Sequence, residues 1–157
     1  MRFEGKVAIA SGVASGMELL FCQRFVEKGG FAVLADVNGD AAASCAAAIN
    51  EAHPGHAAGV VCDVRRYEEV EAVRERAAAA FGRIDVLVNF AGGAEARICH
   101  ASGEFPDIPI EVYDWGMDVN FKGQIYFDHA VMKQMRAQRS GVIVNIGSIT
   151  GEEGARR

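Results

Sequence analysis

Short apolar runs alternate with amphipathic stretches along the whole chain. The runs contain almost no polar side chain, and they cover residues 7–10, 31–35, 58–62, 84–88 and 142–146. A continuous apolar run, without the alternation of a half-exposed strand, indicates a strand that is buried on both faces. Strands of this kind are typical of parallel sheets, so the pattern predicts five parallel strands.

The stretches between these runs have the apolar spacing of helices. They predict four helices, over residues 16–28, 40–50, 67–80 and 111–139. Val70, Val73 and Ala77 fall on one face of the third helix, which should pack on the sheet. Asp40 is the expected N-cap of the second helix, and the glycines and prolines of residues 92–109 predict a long loop.

The alternation of strands and helices determines the predicted architecture. Crossover connections between parallel strands are right-handed and place helices on both faces of a sheet. We therefore expect an α/β fold, a doubly wound parallel sheet of five strands with helices on both faces. The chain has 157 residues and no internal repeat or linker-like tract, so residues 1–157 are predicted to form a single domain.

Composition and charge narrow the classes of function. Half of the residues are hydrophobic and 24% are charged, which is typical of a globular protein. No apolar run approaches the roughly 20 residues that a membrane helix needs. The net charge of −5 argues against nucleic acid and anionic membranes as partners.

The cysteines and histidines do not form a recognisable chemical site. Cys22, Cys45, Cys62 and Cys99 are widely separated, so we expect reduced thiols and a cytoplasmic protein. The histidines form no HExxH motif and no cluster with the cysteines, so no metal site is expected.

A glycine-rich turn follows the first predicted strand. The turn spans residues 11–17 and leads into the first helix. Gly12 permits a tight turn, Gly16 lets a ligand approach the backbone, and the free N–H groups of the helix favour a pyrophosphate. An ordinary turn is the alternative interpretation. The candidate cofactor-binding residues of this turn are Ser11, Gly12, Ser15, Gly16 and Met17.

Carboxylates end the second and third strands. Asp36 follows the second strand, 24 residues after Gly12, where an acid in a dinucleotide-binding fold accepts a hydrogen bond from the ribose 2′-hydroxyl. The same charge would repel a 2′-phosphate, so the sequence favours NAD over NADP. A solvated turn aspartate is the alternative for Asp36. Asp63 could contact an adenine, or it could simply begin the next helix.

Five short segments together resemble motifs of the short-chain dehydrogenase/reductase family. Residues 12–16 are similar to the start of its glycine-rich cofactor loop, and Asp63–Val64 is similar to its adenine-contacting dipeptide. Residues 89–92, Asn-Phe-Ala-Gly, resemble its Asn-Asn-Ala-Gly motif. Residues 118–123 resemble its helix with the active-site asparagine, and residues 145–148 resemble its segment with the active-site serine.

The resemblance implies a Rossmann-like fold and hydride transfer between the nicotinamide of NAD and an alcohol or ketone substrate. It adds four cofactor-binding candidates, Val64, Asn89, Ala91 and Gly92. It also implies that Ser148 orients the substrate oxygen and that Asn120 holds the proton relay of the family. On the residues alone, Ser148 could instead cap a loop. Asn120 could instead interrupt a helix that packs through Phe121, Ile125 and Met132.

Two substitutions depart from the family motifs. Glu18 occupies the third glycine position of the cofactor loop, where it could place negative charge near a pyrophosphate. Like charges about 4 Å apart repel by about 4 kcal/mol at an effective dielectric constant of about 20, so weakened cofactor binding is expected. Phe90 replaces the second asparagine of the fourth-strand motif and should alter local hydrogen bonds more than chemistry.

The Tyr-x-x-x-Lys pair that carries catalysis in the family is not found in the 157 residues. Tyr67, Tyr113 and Tyr126 all precede Ser148, and none is followed by a lysine four positions later. We therefore expect the chain to be C-terminally incomplete, a fragment of a longer enzyme, and inactive as it stands. A nucleotide-binding pseudoenzyme and a structural subunit are the alternatives. The expected partners are a small-molecule alcohol or ketone and, in a homo-oligomer, a second copy.

Overall fold

The structure contains the predicted parallel sheet. The computed structural model describes residues 2–12 and 16–149. Its strands are β1 (Val7–Ser11), β2 (Phe31–Asp36), β3 (Ala57–Val61), β4 (Val86–Asn89) and β5 (Val142–Asn145). They form one sheet in the order β3-β2-β1-β4-β5, and every neighbouring pair is parallel. The predicted fold class is confirmed.

Helices connect the strands. They are α1 (Met17–Glu27), α2 (Gly39–Ala52), α3 (Tyr67–Phe81), α4 (Glu95–Ile98), α5 (Ile110–Met117) and α6 (Gly123–Gln138). A π-helical turn, Asp118–Lys122, divides the predicted helix 111–139. The predicted loop 92–109 holds α4 and a 3-10 turn, Phe105–Asp107. Within the two described ranges, no helix is both long and apolar enough to cross a bilayer.

Each face of the sheet carries its own apolar core. Ile9, Val33 and Leu87 belong to the core under α3 and α6, which is completed by Val70, Val73, Ala77, Phe127 and Val131. Ala10 and Leu34, the next residues along two of these strands, pack in the core under α1 and α2. Successive side chains of a strand point to opposite faces, so a sheet that is covered on both faces needs continuous apolar runs.

Helix α6 does not pack on the sheet through the large apolar residues named in the sequence analysis. Phe121, Ile125 and Met132 are about half exposed. The interpretation that the helix packs through these three residues is therefore wrong. The buried face consists of Gly123, Phe127, Ala130, Val131 and Met135. Phe127, Val131 and Met135 follow one another at intervals of four residues and share one face, whereas Ile125 and Met132 lie on another. Because both faces carry apolar residues, composition alone does not show which face packs on the sheet.

The ends of the helices follow local signals, with one correction. Asn38, not Asp40, caps α2, because the Asn38 side chain accepts a hydrogen bond from the Ala41 N–H at 3.0 Å. Asp40 lies in the first turn, where a carboxylate interacts favourably with the helix dipole. Gly82 ends α3 in the left-handed conformation, which glycine adopts without strain.

The direction of the winding reverses between β1 and β4. The chain forms β1, β2 and β3 in outward order, then returns to the other side of β1 for β4 and β5. In an open parallel sheet, the loops at the carboxyl ends of the strands separate at this point and leave a crevice where ligands bind. The segments that follow β1 to β4 therefore share one edge of the sheet.

Candidate active site

A cavity of about 450 Å³ opens at the carboxyl edge of the sheet. Segments that follow β1, β2, β3 and β4 all contribute to its lining. The fold thus brings together residues that are far apart in the sequence. Six of the candidate cofactor-binding residues line the cavity, namely Gly12, Asp36, Asp63, Val64, Ala91 and Gly92.

Gly12 lets the turns after β1 and β4 approach each other. Its φ of 78° lies in the left-handed region, and its N–H donates to the Ala35 carbonyl oxygen at 2.7 Å. A Cβ atom built on Gly12 would stand 2.7 Å from the Cα atom of Ala91. Any other residue here would therefore push apart the two turns that form this part of the cavity.

Asp36 and Asp63 place carboxylates at the cavity from the ends of β2 and β3. Asp36 Oδ1 accepts a hydrogen bond from the Asn38 N–H at 2.8 Å. Asp63 pairs with Arg65, whose Nε lies 2.9 Å from Oδ1 and 3.0 Å from Oδ2. The side-chain hydrogen bond from Arg65 holds the pKa of the Asp63 carboxyl below its ordinary value, so Asp63 is charged at neutral pH.

Cys62 and Val64 form an apolar wall on either side of Asp63. Burial, together with the charges of Glu69 and Asp63, raises the pKa of the Cys62 thiol to about 12. Only a thiolate is a strong nucleophile, so Cys62 contributes shape rather than chemistry. A Cβ atom on Gly123 would stand 2.7 Å from Val64 Cγ2, which shows how closely α6 approaches this wall.

Asn120 lies in the π turn and holds the loop after β4. Its Oδ1 accepts from the Gly93 N–H, and its Nδ2 donates to the Gly93 carbonyl oxygen, both at 2.9 Å. A Cβ atom on Gly92 would stand 2.9 Å from Asn120 Oδ1. Single π turns within helices are frequent at functional sites. The asparagine therefore connects the α5–α6 segment to the loop that carries Gly92.

Ser11 and Asn89 lie behind the cavity. Both are buried, and neither is among the residues that line it. Ser11 Oγ accepts a hydrogen bond from the Ala91 N–H at 3.3 Å. Asn89 Nδ2 donates to Asp128 Oδ1 at 3.0 Å and to Asn145 Oδ1 at 2.6 Å. The two residues therefore support the cavity from within the sheet.

Ser148 follows β5 at the same edge of the sheet and is exposed. It is not among the described residues that line the cavity. Helix α6 holds this end of β5 in two places. Gln124 Nε2 donates to the Ile146 carbonyl oxygen at 3.0 Å, and Asn145 Nδ2 donates to Asp128 Oδ2 at 2.9 Å. The segment with Asn120 and the strand that leads to Ser148 are thus fixed to each other.

The remainder of the glycine-rich turn contributes less to the lining. Gly16 is the N-cap of α1 with a φ of 75°, and Met17 is 70% exposed. Neither belongs to the described lining of the cavity. Ser15 lies outside the described residues.

Glu18 lines the cavity from the first turn of α1. A Cβ atom on Gly16 would stand 3.1 Å from Glu18 Oε2, so the carboxylate is folded back over the turn that precedes the helix. The N-terminus of a helix favours negative charge. A charge of the protein itself therefore lies at the end of α1 that would attract an anionic ligand.

The lining also contains residues that are not among the sequence candidates, and Arg65, Arg97 and Trp115 are examples. Arg65 directly follows Asp63–Val64, so adjacency could have indicated it. Trp115 precedes Val119 by one helical turn, and both line the cavity. Arg97 lies in α4 and forms no ion pair with any residue of ranges 2–12 and 16–149; no sequence signal points to it.

The cavity suits an adenine dinucleotide in most respects. Gly12 gives a ligand access to the backbone, and Asp36 and Asp63 offer acceptors for ribose hydroxyl and adenine amino groups. Glu18 fits least, because its charge opposes a pyrophosphate. For metal ions, no group of three or more His, Cys, Asp or Glu side chains in the described ranges has a suitable arrangement.

Comparison with known proteins places this geometry in a family. Residues 6–157 match the family described as short chain dehydrogenase. The chain is 33% identical over 153 residues to 2-dehydro-3-deoxy-L-rhamnonate dehydrogenase (NAD(+)) of Sphingomonas sp. (strain SKA58), covering 98% of this chain and 57% of that protein. It is 34% identical over 147 residues to D-threitol dehydrogenase of Mycolicibacterium smegmatis, covering 94% of this chain and 54% of that protein.

The structural comparison agrees with the sequence comparison. The crystal structure of NAD+-bound xylitol dehydrogenase matches with a TM-score of 0.86 and 30% identity, covering 99% of this chain and 57% of that one. The chain thus spans somewhat more than half the length of these relatives. The match to the family extends over nearly all of the chain, and the chain therefore belongs to the short-chain dehydrogenase family of oxidoreductases.

Proposed function

We propose that the chain is the cofactor-binding part of an NAD-dependent oxidoreductase that transfers hydride between nicotinamide and an alcohol or ketone. The observation that carries the proposal is the cavity in which Gly12, Asp36 and Asp63 meet. An acid at the end of β2 accepts hydrogen bonds from the adenosine ribose and repels a 2′-phosphate. NAD is therefore preferred over NADP.

Each residue around the cavity has its own role in binding the cofactor or the substrate. Asp36 binds the ribose, Asp63 is held by Arg65 toward the adenine, and the turn at Gly12 admits the backbone contact with the phosphates. The bound nicotinamide supplies the hydride acceptor or donor. Asn120 holds the loop after β4, and Ser148 orients the substrate oxygen by its hydroxyl.

The substrate is a small alcohol or ketone, and two relatives support this class by their names, which describe dehydrogenases of D-threitol and of 2-dehydro-3-deoxy-L-rhamnonate. We propose a cytoplasmic location, because Cys22, Cys45, Cys62 and Cys99 are all free thiols. We propose a second copy of the chain as a partner, in a homo-oligomer. Nucleic acid and membranes are not proposed as partners.

Titration with reduced cofactor tests the proposed binding. Nicotinamide fluorescence should change on addition of the chain, with saturation by NADH at lower concentration than by NADPH. Tighter binding of NADPH would contradict the role of Asp36. The absence of binding at millimolar NADH would contradict the function as a whole.

A second candidate, a nucleotide-binding protein without catalysis, is favoured by the positions of the tyrosines. Tyr67 and Tyr126 pack edge to face, and Tyr67 bonds to His129 of α6, away from the cavity. Tyr113 donates its hydroxyl to the Phe105 carbonyl oxygen. We therefore propose that the 157-residue chain by itself lacks turnover. Incubation with NAD and a panel of secondary alcohols, followed at the absorbance of NADH, should give no rate, and a measurable rate would exclude this second candidate.

A further inference from the structure

Glu18 is the feature of the cavity that the proposed function does not use. Its side chain is partly buried at the first turn of α1 and lines the cavity together with Gly12 and Asp36. The 3.1 Å approach between Oε2 and the Cβ position of Gly16 places the carboxylate against the turn itself. This is the end of α1 at which exposed N–H groups favour the phosphates of a nucleotide.

The other charges of the cavity do not neutralise Glu18. The described lining contains the carboxylates of Glu18, Asp36 and Asp63 and the guanidinium groups of Arg65 and Arg97. Arg65 is paired with Asp63, so these two charges cancel. Among the described residues, none forms a hydrogen bond or an ion pair with Glu18. Its negative charge therefore lies at the cavity where an anionic ligand would bind.

We propose that Glu18 makes the cavity discriminate against the pyrophosphate of a dinucleotide while leaving the adenosine part of the site intact. The inference rests on the proposed function, since it assumes that the cavity accepts an adenine nucleotide. The neutral nucleoside adenosine meets Asp36 and Asp63 without bringing charge toward Glu18. NADH must bring its pyrophosphate close to the carboxylate, and like charges in a partly exposed site repel even in a high dielectric.

The size of the effect follows from the electrostatics of a site that is open to solvent. Because the cavity is open to solvent, the repulsion lies near the limit for water, where a like-charge contact of about 4 Å corresponds to roughly a fivefold change in affinity. The larger repulsion at an effective dielectric constant of about 20 is an upper bound for this site. Partial burial of Glu18 raises the effect to about tenfold. The repulsion must decline with ionic strength, because the Debye length falls to about 3 Å at 1 M salt.

Calorimetric titration of NADH and adenosine into the whole chain tests the proposal. Glu18→Gln keeps the size of the side chain and removes its charge. It should tighten NADH binding about five- to tenfold and leave adenosine binding unchanged, and the gain should shrink in 1 M salt. Glu18→Gly should tighten NADH at least as much. Melting curves of each variant establish that it is folded.

Glu51→Gln is the matched control. It makes the same change of charge on an exposed residue at the far end of α2, and the C-terminal end of this helix lies at the opposite edge of the sheet. It should leave both affinities unchanged. Equal NADH affinity of the original chain and Glu18→Gln would overturn the proposal, as would an equal gain for adenosine. If no variant binds either ligand, the proposed function fails together with the inference.

Discussion

Gly12 shows how one backbone conformation determines the shape of the cavity. Its left-handed φ turns the chain out of β1, and its missing side chain leaves room for Ala91 after β4. The sequence predicts a tight turn here because glycine follows an apolar run. It cannot reveal that the neighbour is Ala91, since that contact depends on the pairing of β1 with β4.

Replacement of Gly12 by alanine should strain the backbone and the contact with Ala91 together. We expect Gly12→Ala to lower the free energy of unfolding by about 2–4 kcal/mol, measured by urea denaturation. Gly55 is the control, because its φ is 77° and nothing lies within 4 Å of its Cβ position. Gly55→Ala should cost only about 1 kcal/mol. Equal losses would show that the approach to Ala91 is unimportant.

Asp36 should determine which cofactor is bound. Asp36→Asn removes the charge that repels a 2′-phosphate, while the side chain still accepts the hydrogen bond from the Asn38 N–H. The preference for NADH over NADPH should fall by about tenfold, which corresponds to about 1.4 kcal/mol. The measurement is the pair of dissociation constants, with Glu51→Gln as the control for charge. An unchanged ratio would place the ribose elsewhere.

At the scale of elements, Asp85 joins β1 to β4 at the edge opposite the cavity. The carboxylate is 4% exposed and accepts hydrogen bonds from the Val7 N–H, Lys6 and Arg83. Burial alone would raise the pKa of Asp85, but the bonds from Arg83, Val7 and Lys6 outweigh it and lower the pKa. Asp85 is thus a polar residue within an apolar run, and its hydrogen-bond partners include residues at the start of β1.

The stability of this junction should depend on pH. A carboxyl group whose pKa is lower in the folded chain stabilises it above the unfolded value of about 4, and the contribution disappears as pH falls through the folded pKa. At pH 7, Asp85→Asn should lower the free energy of unfolding by about 2 kcal/mol. A fully buried ion pair would be expected to lose more, but Lys6 and Arg83 are each 42% exposed and solvent screens their charges. Asp114 is exposed, so the control substitution Asp114→Asn should change the free energy of unfolding little. A difference for Asp85→Asn that persists in full at low pH would contradict this account.

Much of the element pattern can be predicted from the sequence, and the exceptions have physical causes. Continuous apolar runs identify all five strands because both faces of the sheet are covered. The π turn at Asp118–Lys122 leaves no composition signal, since it differs from an α-helix only in its hydrogen-bond spacing. In α6, apolar residues occur on both the buried and the exposed face, so the sequence does not show which face packs on the sheet. The motif singles out Asn120 in the sequence, but it does not predict the two hydrogen bonds between Asn120 and Gly93.

At the scale of the whole molecule, parallel topology assembles the cavity. Residues that end successive strands must share one edge, so Gly12, Asp36 and Asp63 could be grouped from the sequence alone. Arg97 and Trp115 could not, because their positions depend on the course of the loop after β4 and on the rotation of α5. Ser11 and Asn89 show the opposite limit. Both belong to predicted cofactor-binding segments, but their side chains lie behind the cavity and form hydrogen bonds with other residues of the chain.

The far side of the molecule presents an apolar surface around β5. Val144 is 40% exposed on this edge strand, and Phe121 of the π turn and Ile125 and Met132 of α6 are also exposed. Unpaired edges and apolar patches favour association. The chain should therefore sediment with an apparent mass that rises with concentration.

Substitution of the edge tests where this association occurs. Val144→Lys places a charge on the edge strand and should reduce the apparent mass at a given concentration. Leu20→Lys changes an apolar residue of α1 that is 51% exposed and should have no effect. Association that survives Val144→Lys unchanged would assign the interface to another surface.

The edge of the sheet where Gly12, Asp36 and Asp63 meet should bind an adenine dinucleotide. Titration of the isotope-labelled chain with NADH, followed by amide chemical shifts, tests this binding residue by residue. Saturable shifts are expected at Gly12, Val37, Val64 and Gly92, which line the cavity, with little change at the far edge near Lys6 and Asp85. Shifts confined to other surfaces, or none at millimolar NADH, would contradict the proposed binding.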